Sequence, residues 1–137
     1  APDDILTQIP TTAHLVLSHD KNGRNLGVFL LRVSAQSREL VSKMISYIPR
    51  LKGSAWKDQQ ALIEVIKANP RTTKLIFRVP QKRFNAYYTD GGKHGAGYTW
   101  TSGDFIAHQV WCRNPRCDPA FIQLAKKVKP YFTKNDR

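Results

Sequence analysis

The chain has 137 residues, 22 Lys/Arg against 10 Asp/Glu and a formal net charge of +12, with 41% hydrophobic and 23% charged residues. Its length suits one compact domain with its own core, since domains run to roughly 100–150 residues, and its composition excludes low complexity and long disordered tracts. No apolar run reaches the roughly 18–20 residues that cross a bilayer, and Ala1-Pro2-Asp3-Asp4 offers no secretory h-region. The charge is uneven. Residues 1–68 carry nine Lys/Arg against six Asp/Glu, and residues 69–137 carry thirteen against four. Such a field attracts nucleic acid, anionic lipid or phosphorylated small molecules without choosing among them.

In chain order, Ala13 to Leu17 and Gly27 to Val33 read as buried strands, because Val28, Phe29, Leu30 and Leu31 leave neither face polar before Arg32. Asp20-Lys21-Asn22-Gly23-Arg24-Asn25 between them is a turn by composition, which puts Asn25 and Gly27 where the second strand begins. The period then changes to helical, with Leu40, Val41, Met44, Ile45 and Ile48 on one face and Pro49 ending the run. A second helix starts near Ser54, with Trp56, Lys57, Asp58 and Gln59 in its first turn. It turns Leu62, Ile63, Val65 and Ile66 inward before Asn69-Pro70 stops it.

Lys74 to Val79 reads as a strand, and Pro80 to Gly97 as a long irregular connection of aromatics, amides and glycines. Asp104 to Val110 forms the last strand, and Asp118-Pro119 caps a final helix burying Phe121, Leu124, Ala125 and Val128. Alternation of strand and helix predicts an α/β fold in a single domain over residues 1–137. Cys112 and Cys117 flank Asn114-Pro115, where they either close a small disulfide loop or remain free thiols; a lone C-x4-C is a poor zinc signature.

His108 alternates with Ile106 and Val110 on one strand face, and Arg113 follows five residues later. A packed histidine with one hydrogen bond and a metal ligand backed by a phosphate-binding cation are both consistent with that spacing. Asp104 shares the face but lies about 13 Å away at roughly 3.3 Å per residue, so any metal on His108 needs carboxylates from elsewhere. Asp58 and Gln59 either complement the dipole at a helix start or face a hydroxyl-rich substrate. Gln81, Asn85, Tyr87, Tyr88 and Trp100 are residue types that stack on and hydrogen-bond sugars or bases, and Lys82 and Arg83 beside Phe84 equally suit an RNA. No Walker loop, G-x-S-x-G elbow, H-E-x-x-H pair or spaced D-x-D is present.

Five blocks in order resemble the carboxyl-terminal half of glycosyltransferase family 34, the group with fungal Golgi α-mannosyl- and α-galactosyltransferases and plant xyloglucan xylosyltransferases. They are Asp20-x4-Asn25-Leu26-Gly27-Val28-Phe29-Leu30-Leu31-Arg32, Trp56-Lys57-Asp58-Gln59-Gln60-Ala61-Leu62, Val79-Pro80-Gln81-Lys82-Arg83-Phe84-Asn85-Ala86-Tyr87, Gly103-Asp104-Phe105-Ile106-Ala107-His108, and Cys112 to Cys117. The resemblance is closest to the fungal branch. It implies the acceptor-side part of a GT-A-like domain, a mixed sheet flanked by helices, with the D-x-D half upstream of the Asp20 block. The chain departs from the family pattern at Gln109 and Trp111, where Phe and Gly are usual.

By that resemblance the activity is a retaining transfer of galactose or mannose from UDP-galactose or GDP-mannose to a glycan acceptor. His108 would complete a Mn²⁺ site and Arg113 would bind the donor diphosphate. Asn25 and Gly27 would lie near the donor sugar, Asp58 and Gln59 would be catalytic, and Gln81 and Asn85 would meet the acceptor. The family further implies a Golgi-lumenal, membrane-anchored precursor and hetero-oligomers with other glycosyltransferases. The alternatives are a basic nucleic-acid or polyanion-binding module using Lys82, Arg83, Lys126, Lys127 and Lys129, which the resemblance argues against, and a non-catalytic partner of a transferase.

Overall fold

The computed structural model describes residues 2–20, 22–88, 99–101, 104, 106–108, 119 and 123. Its elements are helix α1 (Pro2–Thr7), strands β1 (Leu15–Asp20) and β2 (Gly23–Leu31), helix α2 (Ala35–Tyr47), helix α3 (Lys57–Ala68), strand β3 (Ile76–Val79), helix α4 (Gln81–Asn85), and short strands β4 (Ala86–Tyr87) and β5 (Ala107–His108). Short 3₁₀ segments at Ile48–Arg50 and Pro70–Leu75 follow α2 and α3, each opened by or containing a proline. The main sheet runs β2-β1-β3, antiparallel on one side of β1 and parallel on the other, and β4 and β5 form a small parallel pair. This is an α/β arrangement with a mixed sheet flanked by helices.

β1 organises the core because its alternating side chains feed two separate clusters. Leu15 and Leu17 point to one face and join Leu26, Leu40, Leu62 and Val65, so α2 and α3 cover that side. Val16 points to the other, with Ile5, Val79 and Phe84 from α1, β3 and α4. Ser18 and Asp20 continue this second face beyond the apolar cluster. The polar residues therefore sit at the end of the hairpin, on the side of α4, β4 and β5.

Local chemistry accounts for the helix ends. Ser34 caps α2 by accepting from Ser37 N–H at 3.1 Å while the Ser37 hydroxyl receives the Ser34 N–H, a reciprocal capping box. The same Ser37 hydroxyl donates to the Arg32 carbonyl, which explains a serine buried in an otherwise apolar stripe. Asn69 ends α3 and accepts from Arg71 N–H, and Pro70 then occupies the first position of the next turn.

Several sequence expectations shift. The sequence predicts a strand buried on both faces over Gly27 to Val33, yet Phe29 is 49% and Leu31 38% exposed, because β2 is the edge strand and the helices cover only its first half. The expected turn is narrower than Asp20 to Asn25, because β1 runs to Asp20 and β2 starts at Gly23, so Asn25 lies within β2. α3 begins at Lys57, three residues after Ser54. In α2, Leu40 is buried but Ile45 is 59% exposed, so the buried stripe is narrower than the apolar pattern. The connection after Pro80 is ordered at its start as α4 and β4, where burial of Phe84 outweighs the irregular composition. Cys112, Arg113 and Cys117 lie outside the described residues; of the final helix, only Pro119 and Gln123 are described, both helical.

Leu62 is fully buried in the α2/α3 cluster. Leu62→Ala should cost about 2–5 kcal/mol in a urea titration through lost transfer energy and a residual cavity, whereas Ile45→Ala on the exposed side of α2 should stay within about 0.5 kcal/mol.

A candidate active site at the end of the hairpin

The ladder between β1 and β2 breaks where the polar residues begin. Leu17 faces Phe29, but the next residue, Ser18, faces Asn25, so Leu26, Gly27 and Val28 have no cross-strand partner on β1. Backbone groups freed by such a bulge need other partners. Two side chains supply them. Gln59, in the first turn of α3, accepts from Leu26 N–H through Oε1 at 3.1 Å, and Asn25 accepts from Gly27 N–H through Oδ1 at 2.6 Å.

Asn25 is itself fixed from the other end. Its Nδ2 donates to Asp20 Oδ2 at 2.8 Å and approaches the Tyr87 hydroxyl at 3.3 Å, and that hydroxyl donates to the same carboxylate oxygen at 2.9 Å. Asn22 N–H donates to Asp20 Oδ1 at 2.7 Å. Burial foremost, then the hydrogen bond to the Asp20 carboxylate, push the Tyr87 hydroxyl up to about 12, so it remains a donor at any physiological pH. Asp20, Asn25 and Tyr87 thus form one polar cluster spanning β1, β2 and β4.

His108 sits over the bulge. A Cβ on Gly27 would lie 2.5 Å from His108 Cε1 and 2.9 Å from Asn25 Oδ1, distances no side chain tolerates, so glycine is what lets the ring approach. The ring also packs at 6.1 Å from the Tyr87 ring, inclined by 58°. Its Nδ1–H donates to Asn85 Oδ1 at 2.6 Å, and Asn85 Nδ2 donates to Ser18 Oγ at 3.3 Å. His108 Nε2 makes no hydrogen bond among the described residues. Burial lowers the imidazole below its ordinary value, which favours a neutral ring.

Gln81 completes the floor. Its Nε2 donates to the Asn85 carbonyl at 2.9 Å, while its buried Oε1 has no hydrogen-bond partner among the described residues. A buried acceptor left open is uncommon and suits a hydroxyl or water donor.

Of the residues singled out from the sequence, Asn25, Gly27, Gln59, Gln81, Asn85 and His108 come together here. Asp58 stays exposed at the start of α3, and Arg113 lies outside the described residues. The His108 ring is half-buried, with the Asn85 amide, the Tyr87 ring and Gly27 against it. Sequence reasoning missed Ser18, marked Asp20 only as the start of a family block, and marked Tyr87 only as an aromatic suited to sugars or bases. For Ser18 the available signal was its interruption of the apolar run Leu15-Val16-Leu17. Lys82 lies 3.8 Å from Asp104, so one cation of the polyanion reading faces a carboxylate.

Among the described residues no three His, Cys, Asp or Glu side chains converge on a metal position. What the site offers a cation is one neutral imidazole nitrogen whose partner nitrogen is engaged, the usual state of a ligating histidine. The remaining ligands would come from outside this group of residues.

Gly27→Ala should force the ring away and cost about 1–3 kcal/mol, as overpacking does, with loss of the Gly27–His108 cross-peaks in NMR spectra. His19 and His108 both have pKa values lowered in the folded chain, chiefly by burial. The unfolded chain then binds protons first as pH falls, so stability is full above the ordinary value of 6.5 and declines below it. Denaturation midpoints at about pH 7.5 and 5.5 should show that decline, and a His19→Gln, His108→Gln double variant should flatten it.

A family model for the galactosyl transferase GMA12/MNN10 family matches residues 2–118. A protein of Schizosaccharomyces pombe described as an uncharacterized alpha-1,2-galactosyltransferase is 29% identical over 105 residues, covering 77% of this chain and 27% of that protein. The chain thus matches about a quarter of that relative's length, and no solved structure matches it. With the family pattern running through β1, β2, α3, α4 and β5, the elements that build the hairpin-end cluster, the chain belongs to the galactosyl transferase GMA12/MNN10 family.

Proposed function

We propose that this chain is the acceptor-side part of a GT-A-type, retaining hexosyltransferase that moves galactose or mannose from UDP-galactose or GDP-mannose to a glycan acceptor. The observation that supports this most is the meeting of three separated blocks, Asn25-Gly27, Gln81-Asn85 and His108, at one end of the sheet. In open α/β sheets such ends are where ligands bind.

His108 is the residue suited to hold Mn²⁺, through Nε2. The metal would supply positive charge against the diphosphate as the sugar–phosphate bond breaks. Arg113, five residues on, is proposed to bind the same diphosphate through its planar guanidinium. Gly27 keeps the donor side open to the imidazole, and Asn25 holds the bulge that presents it. Gln81 Oε1 is suited to accept a hydrogen bond from an acceptor hydroxyl. Asp58, exposed at the α3 entrance, is proposed to face a developing cationic sugar carbon, and Gln59 keeps its amide Nε2 as a donor for a sugar hydroxyl while Oε1 holds Leu26. By the same reading the protein works in the Golgi lumen behind a membrane anchor, in company with other glycosyltransferases.

The test is manganese-dependent release of nucleotide from UDP-galactose or GDP-mannose, using a form that carries the whole family domain. His108→Ala should lower turnover at least about 100-fold, the scale of losing one preorganised electrostatic contact, and chelation should do the same. Full activity in that variant would remove His108 from the metal. Binding of oligonucleotides with a steep salt dependence and no nucleotide release would favour the polyanion-binding module instead.

A further inference from the structure

The buried amide of Asn85 has a part in this site different from contacting the acceptor. Asn85 is fully buried, and both ends of its amide are occupied inside the protein, Oδ1 by His108 Nδ1–H at 2.6 Å and Nδ2 by Ser18 Oγ at 3.3 Å. Its carbonyl receives Gln81 Nε2, which fixes the end of α4. Ser18 is also fully buried, on the sheet's central strand between its register neighbours Asn25 and Val79, so the partner of the amide is held within the sheet. Both polar atoms of the Asn85 amide are thus bonded inside the protein, and the residue presents no exposed surface to a sugar.

What such an arrangement controls is the position of a proton. A neutral imidazole has two tautomers, and the group bonded to one nitrogen decides which nitrogen carries the hydrogen. An amide oxygen at Nδ1 requires the hydrogen there, leaving the lone pair on Nε2. Free imidazole side chains favour the opposite arrangement, so the preference must be imposed. The bulge adds the steric half of the constraint: Gly27 stands where any Cβ would strike the ring, and Asn25, clamped by Asp20 and Tyr87, holds Gly27 in place.

We infer that Asn85, held by Ser18, is a positioning residue that sets His108 in the Nδ1–H tautomer and turns the Nε2 lone pair into the site. Its consequence for metal binding rests on the function proposed above; the tautomer itself does not.

The test is a long-range ¹H–¹⁵N correlation spectrum of the histidine rings in the full chain at about pH 8, above the ordinary histidine range. The wild-type protein should show His108 Nδ1 as the protonated nitrogen and Nε2 as the unprotonated one. Asn85→Leu, which removes the acceptor at similar volume, should move the hydrogen to Nε2. Asn85→Asp, which keeps an oxygen in place, should restore the wild-type pattern. An Nε2–H tautomer in the wild-type protein would overturn the inference, as would an unchanged Nδ1–H tautomer in folded Asn85→Leu. Should that variant not fold, the wild-type spectrum alone decides. Mn²⁺ titration of the same sample separates the two readings: with the Nδ1–H tautomer present the positioning stands, and selective broadening of His108 then supports the metal while its absence counts against the metal only.

Discussion

The break in pairing between β1 and β2 is the constraint on which the site depends. Three residues of β2 leave the ladder together, and a strand cannot hold that shape unless the released N–H groups find partners. Gln59 and Asn25 provide them from different directions. One ties the bulge to α3 and so to the larger hydrophobic cluster; the other ties it to the hairpin end. The distortion is therefore held at both sides, and Gly27 at its centre can receive a ring from β5.

A buried polar group is costly alone and tolerable when every member of its network is paired. Ser18, Asn25, Asn85 and Tyr87 are all buried, and each is hydrogen-bonded within the cluster. Their apolar neighbours on the same face, Val16, Val79 and Phe84, exclude water from the base and strengthen those bonds. Gln81 Oε1 departs from this pattern, and it does so next to the place where chemistry is proposed. A polar floor locked from beneath, with one buried acceptor and one imidazole nitrogen unpaired among the described residues, is a form suited to orienting a hydroxyl-rich ligand.

The same sheet carries a different chemistry on its other face. There His19 accepts from Arg78 at 2.8 Å and stands opposite Arg24 across the hairpin, and burial together with those two cations lowers its pKa. Alternation along β1 separates this cationic face from the Ser18 and Asp20 face, although the residues are adjacent in sequence. The strand thus keeps the proposed sugar site free of the arginines nearest to it in the chain.

The sequence by itself determined the order and type of the main elements and the family. Leu15 to Leu17, the stripe containing Leu40, and Leu62 with Val65 are periodic signals that local geometry turns directly into buried strand and helix faces. It also marked Asn25, Gly27, Gln81, Asn85 and His108. Tertiary structure alone decided that β2 is an edge with Phe29 and Leu31 exposed, that a bulge starts after Leu17, and that Asp20, Tyr87 and Ser18 complete the cluster. Those outcomes rest on contacts between residues separated by tens of positions, such as Asn25 with Tyr87 and Ser18 with Asn85. Local periodicity carries no record of such pairs, because a side chain's hydrogen-bond partner is fixed only once the sheet has brought the two segments together.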